Sequence, residues 1–435
     1  LLLDGIAWYA AKTTARYLEA HFMFTEGEFS VFDIAFSISD VIDLVSSDLS
    51  SHHRKVAYIS YNIAKEMDLP DDEIKDIVLA AILHDIGAVT DKERMHLKEA
   101  MFDDSALTEH ALMGYKLLQD FEPFSNAATI IKYHHTHLGE LKYEIPIGSY
   151  IVHLADRVSI LLDEHKEILA QIPAIMREID NNRSIFQPDT LAALHRFAKY
   201  EYFWIEACSP PFNYVLPERM RFARERMDLE ALRRFAKVVA HIIDFRSRFT
   251  STHSSGVAAV ALELTIISGF SERECKMMEI AGFLHDLGKL AIPNEILEKN
   301  SALTHEEFNE MRKHTYYTYI VLKRIKGLEH ISTWAAYHHE KLDGTGYPFH
   351  VKGEDFSKLA RIMAVADIVT AITEDRPYRL GMSSEEAIKV LTNMVKSGAI
   401  DQGIVELVKE NFSCINDVRI KAQQDAQHEY IAFRN

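Results

Sequence analysis

Cysteine, glycine and proline are all scarce in this chain of 435 residues, which has 3, 17 and 11 of them respectively. Cys208, Cys275 and Cys414 lie far apart and in no metal or redox spacing. That excludes a disulfide framework and fits a reducing compartment, with the cytoplasm as the default location. So few glycines and prolines, beside 48% hydrophobic residues, exclude a disordered or low-complexity chain. Basic residues are also in short supply, 48 against 65 acidic ones, and the net charge of -17 argues against duplex nucleic acid as a partner. There is no apolar run of about 18 residues to span a bilayer. Strand-like alternation is rare throughout.

Helical periodicity takes its place. In residues 71–84, Ile74, Ile77, Val78, Ala81 and Ile82 fall at helical spacing, and Asp71, Asp72 and Glu73 occupy the first turn, where the helix dipole favours acids. The expectation is an all-α fold, and the length points to two or three domains.

Comparison of the chain with itself shows a repeat. His52, His84, Asp85, His110, His134, His135 and Asp156 recur in the same order as His253, His285, Asp286, His314, His338, His339 and Asp367. The first three pairs stand 201 residues apart, the next three 204, and the last pair 211. A seven-residue excess of the second copy falls between His339 and Asp367, where the loop Gly344-Thr-Gly346-Tyr347-Pro348 sits. This divides the chain into an N-terminal helical region (1–50), a first copy (51–207), a linker with a helix (208–249) and a second copy (250–435). The linker opens with the Pro-rich break Ser209-Pro-Pro211. Its charged run, with Leu229, Leu232, Phe235, Ala236, Val239 and Ile243 at helical spacing, fits a connecting helix, a helix packed on its own domain, or a homodimer seam. The tail after Phe412 is polar and carries no identifiable chemistry.

Seven nitrogen and carboxylate donors exceed the needs of one metal ion, and imidazole with carboxylate suits Fe, Mn, Zn or Co rather than Ca. A lone His on a helix is more often a packing residue. An apolar core, however, has no reason to keep seven such groups in duplicate, since burying a neutral polar group unpaired costs on the order of 2–7 kcal/mol. Asp286, next to His285, is the natural bridge between two ions. A metal pair about 3.5–4 Å apart lowers the pKa of a bridging water and clamps a phosphoryl oxygen, which suits phosphodiester hydrolysis by a metal-bridging hydroxide. Lys289 follows within one turn and offers a cation to a phosphate.

The order His, His-Asp, His, His-His, Asp resembles the HD superfamily of metal-dependent phosphohydrolases. The second copy resembles the HD-GYP subfamily in residues 285–289, 338–348 and 360–367, followed by Asp375-Arg376-Pro377-Tyr378-Arg379. The resemblance covers about residues 250–412 and implies an all-α domain with a di- or trinuclear iron or manganese site that hydrolyses cyclic dinucleotides, either cyclic di-GMP or 3′,3′-cyclic GMP-AMP. Carried over by position, it places one metal ion on His253, His285, Asp286 and Asp367, and the other on Asp286, His314, His338 and His339. It assigns the substrate to Lys289, to Gly346, Tyr347 and Pro348, and to Arg376 and Arg379 as a bidentate phosphate grip.

The chain also departs from the family. Phe249 stands where trinuclear members have a Glu, which implies two ions per HD-GYP domain. In the first copy Ala88 replaces the Lys, and Thr136-His-Leu-Gly-Glu140 stands in place of the Gly-Tyr-Pro loop. The first cage is thus a second candidate metal site whose substrate apparatus is stripped. Two alternatives to a cyclic dinucleotide phosphodiesterase are a signalling module with little hydrolysis and a nucleotide phosphomonoesterase.

Overall fold

The computed structural model describes residues 28–44, 51–88, 102, 107–139, 144–208, 216, 218–220, 225–246, 252–375 and 379–434. Most of the N-terminal region, the break at residues 209–211, Phe249 and Arg376 lie outside these residues. The fold is all-α, with nineteen helices and a single sheet of two short strands among the described residues.

The first half runs β1 (Phe29–Ser30), α1 (Val31–Asp43), α2 (His52–Glu66), α3 (Asp71–Leu83), α4 (Thr108–Leu118), α5 (Ser125–Lys132), α6 (Ile147–Leu161), α7 (Ile168–Asn181), α8 (Pro188–Phe197) and α9 (Glu201–Cys208). The second half runs β2 (Arg226–Met227), α10 (Leu229–Phe245), α11 (His253–Ile267), α12 (Glu272–Leu284), α13 (Asn294–Leu297), α14 (His305–Lys323), α15 (Glu329–Ala336), α16 (Lys358–Thr373), α17 (Ser384–Lys396), α18 (Gln402–Glu410) and α19 (Phe412–Arg434). The repeated residues sit on corresponding elements, α2, α3, α4, α5 and α6 matching α11, α12, α14, α15 and α16. In each copy the first two of these pack together, α3 along α2 and α12 along α11.

Local chemistry sets the helix boundaries. α3 covers the periodic stretch read from the sequence, with Ile74, Ile77, Val78, Ala81 and Ile82 buried. Capping boxes start α12 at Ser271 and Glu274, and α14 at Thr304 and Glu307, satisfying backbone N–H groups that have no partner within the helix.

The linker stretch holds α10, which packs on α12 of the second copy and also reaches the first. Its Phe235 ring lies 5.3 and 5.0 Å from those of Phe121 and Phe124. Conversely, α1 packs on α3 and also on α14 and the 3-10 turn Leu287–Ala291 of the second copy. β1 pairs antiparallel with β2, Phe29 opposite Met227, just before these two helices. One apolar cluster therefore runs through both copies.

Candidate metal centres

Each cage is built on a helix that stops at a histidine. α12 ends at Leu284, His285 is its C-cap, and the chain turns so that Asp286 faces the same space; α3, His84 and Asp85 do likewise. The glycine two residues further on is a steric requirement. A Cβ on Gly288 would lie 1.9 Å from the His314 carbonyl oxygen, and one on Gly87 would lie 2.1 Å from that of His110. Only glycine lets the His-Asp turn rest on the helix carrying the third histidine, which places that histidine opposite the aspartate.

In the second copy the structure brings the seven predicted donors together. His253 Nε2 is 3.2 Å from Asp367 Oδ1, and His285 Nε2 is 3.2 Å from Asp286 Oδ2. His314 Nε2 is 3.4 Å and His338 Nε2 3.8 Å from Asp286 Oδ1, and the two imidazoles are 3.3 Å apart. The groups His253, His285 and Asp367, then His285, Asp286 and His338, then His314, His338 and His339, each have donor atoms close enough to share an ion. All are buried except His339, which is partly so.

The tautomers fit metal ligation. Nδ1 of His285, His314 and His338 donates to the carbonyls of Gly282, Met311 and Ala335, at 2.7, 2.6 and 2.6 Å. The Nε2 lone pair is thereby turned into the cage. Nε2 of His285 and Oδ1 of Asp286 are buried with no hydrogen-bond partner, which a bound cation would supply. Burial lowers His314 to about 3 and holds His338 and His339 below the usual imidazole range, so these rings are neutral donors. Burial alone would raise Asp286, but His285, Lys289 and His314 hold it well below the usual carboxylate range.

Lys289 lies at the cage, its Nζ 2.6 Å from Asp286 Oδ2. The turn that carries it is fastened by a residue that no sequence motif singles out. Buried Arg246, at the end of α10, donates to the carbonyls of Lys289 and Ile292 at 3.3 and 3.2 Å and to Asn294 Oδ1 at 2.8 Å.

The Gly-Tyr-Pro loop lies beside the cage. The Tyr347 ring is 5.0 Å from the His339 ring and 4.8 Å from the Arg312 guanidinium. Its amide donates to the His339 carbonyl at 3.2 Å. A Cβ on Gly346 would come within 2.4 Å of the Lys341 nitrogen, so glycine is required there too. Beyond Tyr347 opens a groove of about 410 Å³ lined by Arg312, Lys313, Tyr316 and Pro348 among others. Buried Glu340 holds the loop's exit, accepting from the backbone N–H groups of Phe349, His350 and Val351 at 2.6, 3.1 and 3.1 Å. Arg379 is exposed and donates to the Ala371 carbonyl at 2.6 Å. Among the described residues, Lys289 is the cation that contacts a cage carboxylate of this copy.

Glu374 is a further residue that the sequence motifs do not reach. It is buried, and its Oε2 lies 3.0 Å from His253 Nδ1 and accepts from Gln423 Nε2 at 3.1 Å. The polar tail thus contributes to the centre, since α19 brings Gln423 to the carboxylate that orients His253.

The first cage repeats the donor set with different surroundings. His52 Nε2 is 3.2 Å from Asp156 Oδ1, while His84 and His110 flank Asp85 at 3.3 Å each. Nδ1 of His84 and His134 donates to the carbonyls of Ala81 and Ile131 at 2.8 and 2.6 Å, as in the second copy. His52 Nδ1, however, meets the Ser159 hydroxyl at 3.1 Å rather than a carboxylate. Ala88 is buried where Lys289 stands in the second copy. Arg157, also buried, has a terminal nitrogen 3.0 Å from His135 Nδ1 and 3.6 Å from Asp156 Oδ2.

A duplicated all-helical unit that gathers His, His-Asp, His, His-His and Asp around one space is the architecture of an HD domain. Family models described as HD domain match residues 49–161 and 237–404, together more than half of the chain, and the chain belongs to the HD-domain family. The 3′3′-cGAMP-specific phosphodiesterase 1 of Vibrio cholerae serotype O1 is 29% identical over 396 residues, which cover 86% of this chain and 90% of that protein. A cyclic di-GMP phosphodiesterase of Pseudomonas aeruginosa is 38% identical over 144 residues, 32% of this chain and 34% of its own length. The crystal structure of a cyclic GMP-AMP specific phosphodiesterase of V. cholerae shares the fold, with a TM-score of 0.62 at 20% identity, over 92% of this chain and 98% of that one. No helix among the described residues is long and apolar enough to cross a membrane.

Proposed function

We propose that the second HD copy hydrolyses a cyclic dinucleotide to its linear form. The observation that carries this is the position of Tyr347, its ring 5.0 Å from that of His339 of the cage and lining the groove together with Arg312. An aromatic ring there offers a stacking face to a nucleobase while the adjoining phosphate lies over the cage. The groove's volume and its cations, Arg312 and Lys313, suit an anionic ligand of nucleotide size. The names of the relatives support the same substrate class. The relative matched over most of its length is named for 3′3′-cGAMP, which favours the mixed dinucleotide over cyclic di-GMP.

His253, His285, Asp286 and Asp367 would hold one metal ion, and Asp286, His314, His338 and His339 a second, with iron or manganese as the ions. Bound metal ions supply activation of a water nucleophile and neutralisation of phosphoryl charge. Asp286 serves both ligand groups and so fixes their separation. Lys289 places an ammonium beside it, where charge develops on phosphate oxygens. Burial, with Asp286 and Asp367, pushes the Tyr347 phenol up, so it stays protonated and able to donate.

The test is incubation of protein loaded anaerobically with Fe or Mn with cyclic di-GMP and with 3′3′-cGAMP, products resolved by chromatography. Turnover to the linear dinucleotide is the expected result; no turnover of either compound would overturn the proposal. Faster release of phosphate from a nucleoside monophosphate than opening of either ring would favour the phosphomonoesterase reading.

A further inference from the structure

We infer that Arg157 takes the place of a metal ion in the first cage, so that the half of it formed by His110, His134 and His135 stays without metal. This rests on reading the His and Asp cages as metal sites. Geometry alone would admit an ion there, because donor atoms of Asp85, His110, His134 and His135 lie within 4.8 Å of one another. The obstacle is the protonation pattern that Arg157 imposes.

A guanidinium has only donors and stays protonated in proteins. Its contact with His135 Nδ1 at 3.0 Å therefore has one direction, Arg157 donating and Nδ1 accepting. A neutral imidazole has one lone-pair nitrogen. With Nδ1 accepting, Nε2 carries the proton and neither nitrogen is left for a metal. His134 and His338 have the opposite arrangement: Nδ1 of each donates to a backbone carbonyl and leaves Nε2 for the cage.

The second observation is position: the same guanidinium nitrogen stands 3.6 Å from Asp156 Oδ2 and is buried with it, so one side chain spans a donor of each half of the cage. In the second copy the residue after the corresponding aspartate is Ile368, which can neither donate nor carry charge. The other half of the first cage, formed by His52, His84, Asp85 and Asp156, keeps its donors and is left able to hold one ion.

Metal content read by elemental analysis on the full chain, stripped and reloaded with Mn²⁺ under anaerobic conditions, tests this without reference to activity. Arg157→Ile, which copies the second cage, should carry one more manganese per chain than the unaltered protein, and the gain should vanish in Arg157→Ile/His135→Ala. With Arg157 in place, His135→Ala should leave the metal content unchanged. Equal content in the unaltered protein and a folded Arg157→Ile variant would overturn the inference. So would loss of an ion in His135→Ala, and that variant decides the matter if Arg157→Ile does not fold. Failure of both cages to take up manganese at all would instead overturn the metal-centre reading itself.

Discussion

The two cages hold the same seven donors, yet they differ in where each finds its positive charge. In the second copy the built-in cation is Lys289, at the edge and 2.6 Å from Asp286, with the groove of Tyr347 and Arg312 nearby. In the first copy it is Arg157, buried among the donors themselves, while Ala88 fills the Lys position. On the reading proposed above, Lys289 serves the substrate phosphate beside an open centre, whereas Arg157 takes up the lone pair of a histidine donor. The outer partners differ in the same sense. His253 is oriented by the carboxylate of Glu374, which strengthens an imidazole as a ligand, whereas His52 faces the hydroxyl of Ser159.

This contrast can be broken at several points. The largest effect should come from removing the metal. A chelator should abolish ring opening of a cyclic dinucleotide, and Fe or Mn should restore it; activity that survives chelation would break the account for both cages. Lys289→Ala should lower kcat by about 10²–10³ while leaving the metal content as it was, since the ammonium is assigned to the phosphate. Steady-state kinetics beside elemental analysis separates this from loss of a ligand. Glu374→Gln removes the charged partner of His253 and should weaken metal affinity by roughly 10–100-fold, measured by competition with a fluorescent chelator. Ser159→Ala, the corresponding change in the first cage, should not alter the ions bound by the second. The smallest effect should be that of Arg312→Ala, which should raise KM for the cyclic dinucleotide by about tenfold through loss of its contacts across Tyr347. Hydrolysis of bis(p-nitrophenyl) phosphate, which lacks a nucleobase, should be unchanged in that variant.

The donors were legible in the sequence because they recur at fixed spacing, and that spacing is held by short helices and by Gly87 and Gly288 at closest approach. The residues that were not legible act across long separations. Glu374 and Gln423 come to His253 from the end of α16 and from α19, and no local pattern in the tail announces such a contact. Glu340 looks like any acid before a glycine-rich loop until three backbone N–H groups are seen to converge on it. Arg157 was available as a neighbour of Asp156 but carries meaning only once its partner, His135, is known from the fold. α1 and α10 also correspond, packing on α3 and α12 respectively, and carry a trace of it in sequence: Asp43 and Asp244 stand 201 residues apart, each ten residues before its partner at the start of the next helix, His53 and Ser254.

The division of labour between the copies is tested most directly by the initial rate of cyclic dinucleotide hydrolysis in two matched variants, metal-loaded and assayed side by side. Asp286→Ala should lose at least about a hundredfold, because it removes the carboxylate proposed to serve both metal ions of the second cage. Asp85→Ala, the same change 201 residues earlier, should retain most of the rate. A loss in Asp85→Ala as deep as that in Asp286→Ala, or an Asp286→Ala variant that remains active, would contradict the assignment of catalysis to the second copy.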